Sequence, residues 1–257
     1  MGTRVDGLTD MFGPEGPSLR ELAVQALSSV EHGYDLLAPK FDHTPFRTPG
    51  RVLDAVARAL APLGPFDDGL DLCCGTGAGV RVLAGLCRRS AVGVDFSAGM
   101  LDVARRRVRP EDGPAIGWVR GDARALPFTA AFDLVVSFGA FGHFLPRELP
   151  GLFAQVHSAL RPGGSFAFPL GAPTPANHRA FWTLLGFDAV MRVRNALWRP
   201  PFVMYYRTFR LGTVLAELER AGFTTELRAL PEFGRRDDGS PRARLVVATK
   251  SAPEQGG

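Results

Sequence analysis

Three aspartates spaced through the middle of the chain carry most of its legible chemistry: Asp71 in GLDLCCGTGAGV (69–80), Asp95 in AVGVDFSAGM (91–100) and Asp122 in VRGDARALPF (119–128). Each follows a short apolar run, which sets its carboxylate at the end of a strand. Gly75 and Gly77, just beyond Asp71, let the backbone turn sharply and approach a ligand with no Cβ in the way. Asp71 could serve a ligand ammonium, directly or through water. Asp95 falls about twenty residues after the glycine loop, where a carboxylate accepts both hydroxyls of a ribose. Phe96 and Met100 could flank an adenine ring, and Asp122 could accept from an exocyclic amine. A fourth piece, FDLVVSFGAFGHF (132–144), runs through Ser137 to His143. A histidine titrating near neutrality suits removal of a proton from an acceptor. The competing reading makes His143 a side chain that only shapes the pocket. His178, Tyr205 and Tyr206 are further candidates for the same role.

The glycine pattern itself selects among ligands. A dinucleotide fingerprint needs G-x-G-x-x-G, and its third glycine position holds Val80. Val80 and Asp71 together turn the reading from a pyrophosphate cradle, and so from a nicotinamide-dependent oxidoreductase, toward a nucleoside with a cationic amino-acid moiety.

Composition excludes other classes. Apolar residues at 46% and charged residues at 22% describe an ordinary soluble chain. A net charge of +4 is too small to point to nucleic acid. Cys73, Cys74 and Cys87, with five scattered histidines, match no metal-ligand spacing, so no metal is expected. No apolar run approaches the roughly 18 residues of a membrane span. The stretch MGTRVDGLTDMFGPEG lacks the apolar core of a secretory signal, so a cytoplasmic location is expected.

The elements that must hold these residues alternate. SLRELAVQALSSVE (18–31) reads as an amphipathic helix, and a second runs from about 51 to 60. Strands follow at 70–73, 91–94, 116–119, 134–137 and 165–170, with helices at 78–87, from Ser97 as N-cap, and at 152–160. The alternation stops for some forty residues after 170, longer than a routine connection. It resumes with a helix at 211–221 and two strands, 223–230 and 244–249, joined by the turn-rich FGRRDDGSP. Alternation of this kind predicts an α/β, doubly wound, mostly parallel sheet, with ligands at the carboxyl ends of its strands.

With those four motifs in order, the chain resembles the class I S-adenosylmethionine-dependent methyltransferases that act on small molecules. The resemblance covers about 51–170 by motif and 211–250 by topology. It implies a Rossmann-like, seven-stranded sheet with a reversed last strand, and S-adenosyl-L-methionine as cofactor. By the same resemblance Asp71, Gly75 and Gly77 hold the methionine part, Asp95 the ribose, and Phe96 and Met100 the adenine. Asp122 and the backbone of Ala123 meet the adenine edge, Ser137 belongs to the cofactor-binding set, and Tyr34 closes over the cofactor from the N-terminal side. The family commonly has glycine where this chain has Cys73. Ser137-Phe138-Gly139-Ala140 stands where enzymes methylating a DNA base amine carry Asn/Asp-Pro-Pro-aromatic, which argues against that acceptor.

The domain reading is an N-terminal helical cap (1–50), a cofactor-binding core (51–171), a substrate-lid insert (172–210) and the end of the core (211–257). The insert holds Phe181, Trp182, Phe187, Trp198, Phe202, Tyr205 and Tyr206. Within 186–210 there are five arginines against one aspartate. The expected acceptor is therefore a small hydrophobic, aromatic or anionic molecule methylated on oxygen or nitrogen. Two other readings of the insert are plain packing on the core and a basic surface touching membrane. A cofactor-binding scaffold without transfer is the alternative function.

Overall fold

Strands buried on both faces need helices on both sides, and the middle of this chain supplies strands and helices in turn. The computed structural model describes residues 15–18, 20, 21, 24, 28–44, 46–109, 113–172, 179–197 and 210–252. Seven strands, β1 (Phe66–Leu72), β2 (Cys87–Asp95), β3 (Ala115–Arg120), β4 (Phe132–Val136), β5 (Leu160–Gly171), β6 (Phe223–Ala229) and β7 (Ala243–Lys250), form one sheet in the order β3-β2-β1-β4-β5-β7-β6. β1 to β5 pair in parallel, whereas β7 runs antiparallel to both β5 and β6, between which it inserts. The expected seven-stranded sheet with its reversed last strand is present. The direction of winding reverses between β1 and β4, which opens a crevice at their carboxyl ends.

The helices among the described residues are α1 (Val30–Leu37), α2 (Gly50–Leu60), α3 (Ala78–Ala84), α4 (Ala98–Arg107), α5 (Leu149–Ala159), α6 (Arg179–Leu197) and α7 (Leu211–Arg220). The period-two alternation of β1 sorts its side chains. Leu70 and Leu72 join Phe153, Val156, Phe166 and Leu218, the core shared with α5 and α7. On the other face Val56 and Leu60 of α2 and Val80 and Leu83 of α3 pack with Leu134 and Val136 of β4. Asp71 points to that second face, beneath the start of α3.

Several elements differ from the sequence reading. The expected helix at 18–31 lies largely outside the described residues, but the chain is non-helical at Ser28 and Ser29. The Ser29 hydroxyl instead accepts from the His32 N–H at 3.2 Å and caps α1. β1 starts earlier than its charges suggest, because Asp68 is held by Arg89, Arg161 and Ser90. β5 begins at Leu160, with a register irregularity against β4 where Arg161-Pro-Gly-Gly passes. Within the insert, read as irregular, stands the 19-residue α6. At helical spacing the apolar residues of this sequence fall on every side, so no one-sided stripe signals a helix; of the described side chains Met191 is buried, whereas Trp182, Val190, Val193 and Leu197 are exposed. Residues 173–178 and 198–209, with His178, Trp198, Phe202, Tyr205 and Tyr206, lie outside the described residues, as do the side chains of Phe181 and Phe187. Among the described residues no helix is long and apolar enough to cross a membrane.

Candidate functional site

A cavity of about 800 Å³ opens at the carboxyl ends of β1, β2 and β4. Asp71, Gly75, Asp95, Phe96, Met100, Asp122, Ala123, Tyr34 and His143 all line it. The topology thus brings together residues that are 109 positions apart in sequence, as Tyr34 and His143 are.

Asp71 is buried at 1% exposure, and neither carboxylate oxygen makes a hydrogen bond of good geometry among the described residues. The N–H groups of Gly79 and Val80 face it and favour its charge, but burial first and Asp95 second raise its pKa well above the ordinary range. A Cβ at Gly79 would run into this carboxylate, so the helix start approaches Asp71 as closely as it does only because that residue is glycine. An orphaned buried carboxylate facing a cavity is costly unless a cation or donor joins it.

Around the loop, Gly77 caps α3 with φ +85°, and a Cβ there would meet Val108 Cγ2 at 2.9 Å. Gly75 lines the cavity and donates its N–H to Asp95 Oδ2 at 2.8 Å, while Ser97 donates to Oδ1 at 2.9 Å. Asp95 is 6% exposed, and burial raises its pKa to about 6 against those two bonds, with Asp35 adding repulsion. Cys73 adopts φ +57°, the left-handed region that favours glycine. The departure noted in the sequence is therefore a backbone matter as well as one of bulk. Burial, then Asp95, holds its thiol well above the usual range, so it stays protonated.

Asp122 is exposed, and Arg124 forks it: Nη2 donates to Oδ2 at 2.7 Å, and the Arg124 backbone N–H donates to Oδ1 at 2.9 Å. That pairing lowers the Asp122 pKa. Arg124 also reaches Glu148 at 3.1 Å. Ala123 is buried beside it. Ser137 departs from its expected place. It is 1% exposed, donates its hydroxyl to the Leu72 carbonyl at 3.2 Å, and does not line the cavity. Its position follows from its place in line with β4, where the hydroxyl closes the seam to β1.

The roof is built from α1 and the turn after it. Tyr34 meets His143 Nε2 at 3.1 Å, with the rings edge to face at 5.3 Å. Tyr34 also abuts Phe96, centroid to centroid at 6.2 Å. Two aspartates escaped the sequence reading. Asp35 accepts from the Ser97 hydroxyl at 2.6 Å and the Gly99 N–H at 2.9 Å, supplementing Ser97 as the cap of α4. Asp42 accepts from the Thr76 hydroxyl at 2.8 Å and pairs with Arg107. Both clamp the N-terminal segment onto the core through non-local contacts that no spacing signals.

The residues fit an adenosyl sulfonium ligand: an unsatisfied buried carboxylate for an ammonium, a second at a strand end for a ribose, and apolar walls for a ring. The comparisons agree with this geometry. A family model described as a methyltransferase domain matches residues 70–164. An uncharacterized methyltransferase from Synechocystis is 32% identical over 163 residues, covering 63% of this chain and 69% of that one. A demethylmenaquinone methyltransferase from Clavibacter sepedonicus is 40% identical over 145 residues, covering 54% of this chain and 53% of that one. Among solved structures, an S-adenosylmethionine-dependent methyltransferase from Mesorhizobium loti superposes with a TM-score of 0.54 at 26% identity, covering 77% of this chain and 100% of that one. The chain belongs to the class I S-adenosylmethionine-dependent methyltransferases. It spans 69% of the length of the Synechocystis protein and between 36 and 65% of the length of other curated methyltransferases it resembles.

Proposed function

We propose that the protein transfers a methyl group from S-adenosyl-L-methionine to a small organic acceptor with an apolar body. The observation that carries this reading is the orphaned carboxylate of Asp71 beside the Gly75–Asp95 bond in one cavity. Asp71 would hold the ammonium, Asp95 the ribose hydroxyls, Phe96 and Met100 the adenine faces, and Asp122 with the Ala123 backbone its edge. When bound, the sulfonium supplies an electrophilic methyl group with a good leaving group already attached. The chain's own task is then alignment and exclusion of water. Tyr34 and His143 roof the cavity together. His143, at its wall, would take a proton from an acceptor hydroxyl. The quinone methyltransferases among the relatives support an apolar acceptor, and the partly exposed aromatic edge at Phe46 and Phe138 is compatible with one.

Calorimetry with S-adenosylhomocysteine tests the reading, with micromolar binding expected and absence of binding fatal to it. Asp95→Ala should weaken that binding by about tenfold or more, since it removes a charge-assisted pair of contacts. Binding equal to the parent would reject the assignment of Asp95.

A further inference from the structure

A second cleft of about 610 Å³ adjoins the cofactor cavity and shares Phe46, Arg47, Thr48 and Gly139 with it. Its floor is the end of β5 at Pro169 and Gly171, and its walls are the start of α2 and the approach to β7. A molecule seated here therefore borders the cavity directly, on the side of the sheet where ligands of such folds lie.

The cleft combines apolar surface with an excess of cations. Phe46, Val52, Leu230 and Phe233 supply the apolar part, and Arg47, Arg51 and Arg242 supply the charge. Its one carboxylate, Glu232, already accepts from Arg58 Nη2 at 2.9 Å, and Arg58 is not part of the lining. Arg51 lies 5.4 Å from the centre of the Phe233 ring. Arg242 donates its Nε to the Arg235 carbonyl at 2.9 Å, and among the described residues its two terminal nitrogens make no hydrogen bond. Among the described residues none of the three arginines is paired with a carboxylate. Guanidinium groups gathered around an apolar wall, with no paired carboxylate among the described residues, match a ligand that brings its own planar anion.

We propose that this cleft is the methyl-acceptor site and that the acceptor is an amphiphile bearing a carboxylate on an apolar, ring-sized body. The proposal rests on the methyltransferase reading above and adds the charge of the substrate. It moves the recognition of that charge from the arginines of the insert to Arg51 and Arg242, with Arg47 at the junction of the two spaces.

The test uses 2-naphthoate and its neutral counterpart 2-naphthamide, titrated by calorimetry into protein saturated with S-adenosylhomocysteine. The carboxylate should bind about tenfold more tightly than the amide at low salt, and this preference should shrink as salt is raised. In Arg51→Ala/Arg242→Ala the preference should fall below about threefold, and in Arg51→Lys/Arg242→Lys most of it should return, with S-adenosylhomocysteine affinity unchanged in both. Equal binding of the two probes to the parent, no binding of either, or a preference retained in the double alanine variant would overturn the proposal. If S-adenosylhomocysteine itself fails to bind, the function reading falls. The same titration of ligand-free protein then still decides whether the cleft selects anions.

Discussion

The two roles assigned to Asp95, in the fold and toward the cofactor, pull in opposite directions with pH. Its pKa is raised to about 6 by burial, so ionising it in the fold is penalised relative to the unfolded chain. For an acid raised in this way, the contribution to stability is greatest below the unfolded value of 3.8 and is lost as pH rises to about 6. A shift of that size corresponds to about 3 kcal/mol. Unliganded parent protein should therefore gain stability over Asp95→Asn as pH falls from 7 to 4, measured by denaturant unfolding of both. Cofactor affinity should move the other way, because the ionised carboxylate is the proposed ribose acceptor: S-adenosylhomocysteine should bind about tenfold more weakly at one pH unit below that value. A flat affinity profile between pH 5 and 8 would show that Asp95 is not the titrating contact. Asp71 and Asp95 were legible because a carboxylate at a strand end beside glycines is a local pattern. Asp35 and Asp42 were not, since their partners lie 62 and 34 residues away.

At the level of elements, the approach of α4 to the site depends on its first turn. Ser97 and Asp35 divide the free N–H groups there, Ser97 taking Met100 at 3.1 Å and Asp35 taking Gly99. Asp35→Ala should cost about 1 kcal/mol of stability, as caps of this kind do, read as a lowered denaturation midpoint. It should also weaken S-adenosylhomocysteine binding, because α4 carries Met100 into the cavity wall. An unchanged affinity would make Asp35 a cap and nothing more. The strands and the helices α2 to α5 could be read from periodicity and turn chemistry. α6 could not, because at helical spacing its apolar residues form no single stripe, and the early start of β1 was hidden by charges whose arginine partners come from β2 and β5.

For the whole molecule, the cofactor should act as a staple between cap and core. A ligand at a hundred times its dissociation constant stabilises the fold by about 2.7 kcal/mol, so S-adenosylhomocysteine should raise the melting temperature by several degrees. Asp95→Ala, binding about tenfold more weakly, should lose about half of that increment. At the opposite end of the sheet Asp68, gripped by Arg89 and Arg161, is held far below the carboxylate range. That group adds stability at neutral pH and gives it up progressively as pH falls below the unfolded value of 3.8. The mostly parallel, doubly wound sheet was foreseeable from alternation, and its seven strands with a reversed last one from the family resemblance, whereas the second cleft was not, being assembled from segments as distant as Arg47 and Arg242. The roof carries a consequence for the chain as it leaves the ribosome. Residues 34, 35 and 42 emerge before the core, yet their anchors at His143, Ser97 and Thr76 are made 109, 62 and 34 residues later. During synthesis the roof must wait for its walls, and it can latch at Tyr34 only after β4 and His143 have been translated.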